Sequence, residues 1–262
     1  MDRNELSAAL AGLPLGGLRF FPTIGSTNDE ALRWAAEGAG DLSLVVADEQ
    51  TAGRGRAGHK WHTPPGAALA LSLVLRPSPP ESMFPGRLTG LAALALVDCC
   101  SSLGLPARIK WPNDLLLQGR KAAGILVETA WAGSTLDAAV IGIGVNVAPA
   151  ALPPAEELSF PATSLEAALG RPLSRSDLLR SLLAALLDRR AQIASQGFIE
   201  AWEQALAFRG EWVAVGQGQE PPRVGALQGL EPDGSLRLLA DGRPAVVHFG
   251  EIHLRPMDDK MG

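Results

Sequence analysis

The sequence predicts an α+β fold: a mixed β-sheet flanked by helices over residues 1–208, then a small β-barrel over residues 209–262. Three observations carry this. In the first segment, apolar runs of strand length are interleaved with leucine- and alanine-rich stretches too long for strands. Beyond Arg209 only short strand candidates remain, punctuated by the turn pairs Asp233-Gly234 and Asp241-Gly242. A chain of 262 residues, 47% hydrophobic and 19% charged, can bury one large core and carry a small appended unit.

From the N-terminus, residues 1–17 read as a short amphipathic helix ending at Pro14, Gly16 and Gly17, and residues 18–21 as a strand. Thr27 with Glu30 makes a T-x-x-E capping box, so ALRWAAE is expected to be helical up to Gly38. Ser26 and Thr27 then stand at a helix entrance, where free amides favour polar or anionic ligand atoms. LSLVVADEQ and AALALSLVL are buried strands joined by the polar, glycine-rich TAGRGRAGHK. Residues 88–103 form a buried helix stopped by Gly104. ARIKWP, KAAGILVETAW and LDAAVIGIGVNV are further strands, the last two joined at Gly133-Ser134 as a hairpin. Residues 149–161 are a proline-rich surface connection. Thr163 with Glu166 repeats the capping box ahead of Gly170, and residues 174–195 carry the leucine spacing of one long helix. EWVAVG, PRVGALQGLE, SLRLLA and AVVHFGEIHL are the strands of the barrel.

A net charge of −5 argues against a surface built as a whole for nucleic acid, so any polyanion site must be local. The only cysteines, Cys99 and Cys100, are adjacent in an apolar stretch and can form neither a disulfide framework nor a four-ligand zinc site. A reducing, cytoplasmic setting follows. Asp2, Arg3 and Glu5 stand where an export signal needs basic and then apolar residues, and no apolar run reaches the ~20 residues of a membrane span. A soluble protein without membrane association is expected. The one short helix at the start cannot make a helix-turn-helix, so DNA binding is not expected.

Gly53, Gly55 and Gly58 fit G-x-G-x-x-G, which is a dinucleotide fingerprint only when it opens directly into a helix. Here HKWHTPPG follows, and Pro64, Pro65 and Gly66 oppose a helix start. What remains is a loop presenting Arg54, Arg56 and Lys60 from an acidic chain, either solvated or phosphate-binding. In KWPND (Lys110 to Asp114), Pro112 removes a backbone donor and Asn113-Asp114 favours a turn, which places Lys110 near a strand terminus. Alone, such a lysine could equally snorkel from the edge of the core. His59 and His62 lack further ligands, and no metal site is expected.

STN (Ser26 to Asn28), DEQTAGRGRAGHKW (Asp48 to Trp61), KWPND, RKAAGILVE (Arg120 to Glu128) and IGIGVN (Ile141 to Asn146) resemble, in order and spacing, the motif series of biotin protein ligases. The resemblance is strong over residues 18–150 and one of layout beyond. It implies a catalytic domain similar to class II synthetases with an SH3-like C-terminal barrel, of the monofunctional type without an N-terminal DNA-binding domain. The implied reaction joins biotin and ATP, with Mg²⁺, into biotinyl-5′-AMP and diphosphate, and then transfers biotin to a lysine of a biotin carboxyl carrier protein. A homodimer is compatible with the resemblance.

A carboxylate attacking a phosphate meets charge repulsion, so such a site needs cations. By resemblance, Lys110 and Arg56 are the catalytic residues, with Lys110 touching both the biotin carboxyl and the phosphate. Ser26, Thr27, Asn28 and Gln50 offer hydroxyl and amide groups to the ureido ring, and Arg54, Gly55, Arg56, Lys110, Gly142 and Gly144 complete the biotin site. Gly55 would let the backbone approach the ligand, while Gly53 and Gly58 permit the loop's turns. Arg54, Arg56, Trp61, Lys110, Asn113 and Asn146 are the implied ATP and adenylate set, with Trp61 beside the adenine. Local alternatives stay open: helix capping for Ser26 and Thr27, a core position for Trp61, a glycine-rich central strand for IGIGVN. The family pattern has an arginine where this chain has His59, a residue mostly neutral at neutral pH when unperturbed.

Three rivals remain in view. A lipoate ligase or octanoyl transferase is similar in fold, but the RRxSGGG pattern of that group is absent and Cys99 and Cys100 read as helix core. A biotin-responsive repressor needs a DNA-binding element. A non-catalytic biotin-binding module predicts no ATP chemistry.

Overall fold

In the computed structural model, which describes residues 1–217, 221–248 and 252–256, seven strands form one sheet in the order β1-β2-β3-β7-β6-β5-β4. They are β1 (Gly17–Ile24), β2 (Ser43–Gln50), β3 (Ala68–Leu75), β4 (Ala107–Lys110), β5 (Asp114–Leu117), β6 (Arg120–Ala132) and β7 (Thr135–Asn146). Only β1 and β2 pair in parallel, because the helix α2 (Thr27–Ala36) makes the crossover between them. The other helices are α1 (Arg3–Ala9), α3 (Pro79–Met83), α4 (Arg87–Ser102), α5 (Leu165–Leu169), α6 (Arg175–Arg190) and α7 (Gln196–Ala205).

Strand alternation divides the apolar side chains between two faces. Leu44, Val46, Leu71, Leu73, Ile141 and Ile143 join the larger core, built around α4, α6 and α7. Val45, Val74 and Val140 point the other way, under Ala31 and Ala35 of α2. The buried helix α4 is apolar on most sides. It holds both cysteines, and burial pushes the Cys99 thiol up to about 11 and the Cys100 thiol up to about 12.

Helix α2 covers only one end of its sheet face. Beyond it, cross-strand pairing sets Lys110, Asp114, Gly124, Gly144 and Ala70 in one row and Leu126, Gly142 and Ser72 in the next. The middle of that floor therefore has almost no side chains.

The C-terminal sheet has the order β11-β10-β9-β8-β12 and is antiparallel throughout: β8 (Trp212–Gln217), β9 (Arg223–Leu230), β10 (Leu236–Ala240), β11 (Arg243–Val247) and β12 (Ile252–Pro256). Both expected hairpin turns form, with Gly234 at φ 88° and Gly242 at φ 70°. The β9–β10 turn docks on the larger domain. The buried Arg87 donates to Pro232 O and Ile193 O (2.7 Å each), and the Trp111 indole donates to Gly234 O (3.0 Å).

Several expectations shift. Ser26, not Thr27, is the N-cap of α2. The Thr27 N–H and hydroxyl instead donate to Gln50 Oε1 (2.8 and 3.1 Å), and Glu30 pairs with Arg19 and Arg33. A tertiary acceptor has displaced the local capping box. Ser164 rather than Thr163 caps α5, its Oγ accepting from Ala167 N (3.3 Å). Residues 174–195 are not one helix: α6 ends at Arg190, and Ser195 caps α7. DLLL, beginning at Asp114, is the unexpected strand β5, since the turn comes before Asp114 rather than at it. AVVHFGEIHL contributes to two strands, β11 and β12, with residues 249–251 outside those described. Among the described residues, no helix is long and apolar enough to cross a membrane.

The cysteine environment is testable. At pH 8, below both raised values, the native thiols should resist an aromatic disulfide reagent and react fully only after unfolding. Native-state reaction at the unfolded rate would contradict their burial in α4.

Candidate active site

A cavity of about 940 Å³ opens over the uncovered end of the sheet. Its floor is Gly124 and Leu126 of β6 with Gly142 and Gly144 of β7. One wall is the start of α2 with Gln50. The glycine-rich loop forms the lid, and Lys110 to Asp114 with Lys121 line the far side. Residues 149–161, expected as a surface connection, form the remaining wall through Ala151, Pro153, Leu158 and Phe160.

The loop does not open into an α-helix. A single 3₁₀ turn, Arg56–Gly58, reverses the chain, with Gly58 at φ 75°. Gly55 N–H then donates to His59 O (2.7 Å) and Trp61 N–H to Gly53 O (2.9 Å), so residues 53–61 form a short flap. Gly55 and Gly53 serve this closure: a Cβ on Gly55 would sit 3.3 Å from His59 O, and one on Gly53 only 2.4 Å from Trp61 O. His59 itself is exposed.

Two glycines of IGIGVN are required by close approach to other side chains. A Cβ on Gly142 would lie 2.1 Å from Asn28 Oδ1, and one on Gly144 would lie 2.3 Å from the Trp61 indole. Trp61 therefore rests flat on the sheet floor, with its buried Nε1 lacking a hydrogen-bond partner.

At the α2 end the polar groups form one chain. Gln50 Nε2 donates to Thr63 Oγ1 (3.0 Å), and Gln50 Oε1 accepts from Thr27. Ser72 Oγ has two acceptors within reach, Thr27 Oγ1 (2.8 Å) and Asn28 Oδ1 (2.5 Å). Asn28 Nδ2 donates to Leu126 O and to Glu128 Oε2. The buried Ser26 hydroxyl does not cap α2.

The opposite end is cationic. Asp114 holds two ammonium groups, Lys121 Nζ on Oδ1 (2.6 Å) and Lys110 Nζ on Oδ2 (3.3 Å). Lys110 also sits 4.7 Å from the Phe160 ring centroid, and Lys121 lies 5.5 Å from that of Trp61. Arg56 reaches toward Asn113 Oδ1 (3.5 Å). Desolvation lowers the Arg56 pKa while the Asp114 charge opposes that shift; a guanidinium remains charged regardless. Lys110, Lys121 and Arg56 thus bring positive charge to this end around Asp114. Asn146 lines the cavity and donates to Thr163 O (3.1 Å).

All the residues named from sequence thus converge on one cavity, but Arg54 is committed elsewhere. Its guanidinium is bidentate on Glu128 (3.0 and 2.8 Å) and also meets Asp29 (2.6 Å). The Glu128 hydrogen bonds raise its pKa. Lys121, Asp114, Glu128, Ser72 and Phe160 were not among the expected site residues. Lys121 and Glu128 lie in RKAAGILVE, and the unexpected strand β5 is what brings Asp114 beside Lys121.

The architecture is that of an α+β fold in which a helix entrance, a glycine flap and a lysine pair gather around one cavity over a mixed sheet. The chain belongs to the biotin/lipoate A/B protein ligase family, whose signature matches residues 20–146. It is 37% identical to the biotin--[acetyl-CoA-carboxylase] ligase of Paracoccus denitrificans over 234 residues, 87% of this chain and 96% of that one. It spans only 54% of the length of the bifunctional ligase/repressor BirA of Bacillus spizizenii, to which it is 39% identical over 176 residues, 67% of this chain. Among solved structures, the biotin protein ligase from Aquifex aeolicus in complex with biotin and ATP superposes with a TM-score of 0.79 at 28% identity, covering 92% of this chain and 99% of that one.

Gly144→Val should lift the Trp61 indole off the floor at a cost of about 1–3 kcal/mol. Fluorine NMR of fluorotryptophan-labelled protein would read the displacement. An unmoved Trp61 resonance together with an unchanged melting midpoint would show that the ring does not rest there.

Proposed function

We propose that the chain is an ATP-dependent ligase that makes biotinyl-5′-AMP and transfers biotin to a lysine of a carrier protein. One observation carries this reading: a single cavity has a hydrogen-bonding end formed by Ser26, Thr27, Asn28 and Gln50, a floor of glycine and apolar residues against which Trp61 lies, and a cationic end. That polarity complements biotin, whose ureido head is neutral, whose chain is apolar, and whose carboxylate must meet a triphosphate. The names of the Paracoccus relative and of the Aquifex complex point to the same substrates.

Ser26, Thr27, Asn28 and Gln50 would receive the ureido ring, and Gly142 and Gly144 let Asn28 and Trp61 lie close against the floor beside it. A biotin carboxylate oxygen then attacks the α-phosphorus, and the bond to the bridging oxygen breaks with its electron pair leaving on diphosphate. Lys110, Lys121 and Arg56 stabilise the charge that develops, in a site where preorganised cations need little rearrangement. Asp114 holds the two ammonium groups in place, which makes Lys121 a second candidate for the role assigned to Lys110. Trp61 and Asn146 would flank the nucleotide. In the second half-reaction the ε-amine of the carrier lysine attacks the acyl carbon, AMP departs, and the amine loses its proton.

Among the described residues no three His, Cys, Asp or Glu side chains converge to hold a metal. Mg²⁺ would thus arrive with the triphosphate, and no residue is assigned to it. The acceptor we propose is a biotin carboxyl carrier protein, in a reducing, cytoplasmic setting that keeps both buried thiols free.

Biotin-dependent pyrophosphate exchange is the test. Exchange should occur with biotin and not with lipoate; the opposite preference would overturn the assignment. Lys110→Ala and Lys121→Ala should each lower the exchange rate about 10²–10³-fold, and wild-type turnover in either variant would remove that lysine from the mechanism. Arg56→Gly should release the adenylate and label bystander lysines, because the flap carrying this residue would close over the intermediate; unchanged acceptor selectivity would contradict its role.

A further inference from the structure

We infer that Glu128 is a positioning residue for biotin: its carboxylate sets the orientation of the Asn28 amide and anchors the root of the glycine flap through Arg54. The inference rests on the proposed ligase reading for its ligand, but the contacts stand independently of it.

A carboxylate can only accept hydrogen bonds when ionised. Glu128 Oε2 lies 2.8 Å from Asn28, so the nitrogen end of that amide must face it. The second Nδ2 hydrogen goes to Leu126 O (3.3 Å). Both donors of Asn28 are thereby consumed inside the protein. Its Oδ1 accepts from Ser72 and keeps one lone pair, which leaves Asn28 able to offer a ligand an acceptor only. Such a group suits a ureido N–H and disfavours a carbonyl oxygen in the same place. Gly142 has no Cβ to push the side chain out of this position.

The same carboxylate forms the two parallel bonds to Arg54, a geometry stronger and more directional than a single ion contact. Arg54 sits at the base of the flap, and Asp29 in the first turn of α2 grips it from the other side. One guanidinium between two carboxylates carries no spare positive charge toward a phosphate. Arg54 accordingly fastens the flap to β6 and α2, whereas Lys110, Lys121 and Arg56 supply the cations.

The test compares wild-type protein with Glu128→Ala. The variant should raise the KM for biotin about tenfold, as for the loss of a charge-assisted hydrogen bond, with the KM for ATP and kcat within about twofold. Trypsin should cut the flap of the unliganded variant about tenfold faster, since cleavage follows the open population. Combining it with Asn28→Ala should add little, because the two residues act as one unit. An unchanged biotin KM overturns the inference whatever trypsin does, and so does an equal rise in both KM values. If Glu128→Ala fails to fold, Glu128→Gln keeps the volume and frees the amide choice. A rise of about threefold in the biotin KM of Glu128→Gln then supports the role, and none refutes it. Absence of biotin-dependent exchange in the wild type would instead remove the proposed function, while the trypsin comparison would still decide the anchoring.

Discussion

A β-sheet face must be covered or left wet, and in this molecule one helix covers half of it. Helix α2 lays Ala31 and Ala35 on Val45, Val74 and Val140 and begins where the next residues of β7 are Gly142 and Gly144. A face with Val at one end and Gly at the other seats a helix on the first and lets Asn28 and Trp61 pack closely on the second. The N-terminus of α2, the flap and the lysine pair are all arranged around that half, and side chains on Gly142 and Gly144 would displace Asn28 and Trp61 from it.

The polar network above the floor follows from the same constraint. Asn28 and Trp61 occupy the space the two glycines leave, so both are held close to the sheet without a ligand. Buried polar groups need partners. Ser72, Glu128 and the carbonyl of Leu126 supply them for Asn28 from the floor itself. The Trp61 N–H has none, which marks the ring as the less settled of the two.

At the far end, positive charge gathers around one carboxylate. Asp114 carries two lysines, and burial of Arg56 beside it adds a third cation. The C-terminal barrel takes part, because the indole of Trp111, next to Lys110, donates to Gly234 in the β9–β10 turn. The barrel thereby braces KWPND, and the buried Arg87 ties the same turn to the helical layer.

The sequence by itself determined most of the element types, the mixed sheet, the terminal barrel and a set of residues that all line the cavity, because period-2 apolar runs, turn pairs and short ordered motifs are local properties of the chain. Tertiary structure alone decided what those residues do to one another. Thr27 lost its capping role to Gln50, Arg54 was taken by Glu128 and Asp29, and Lys121 was brought to Asp114 by a strand that a polar turn signal had hidden. The physical reason is common to the first two. A hydrogen-bonding or charged side chain binds the best partner within reach, and that partner lies 23 residues away along the chain for Thr27 and 74 for Arg54, where no local pattern can show it.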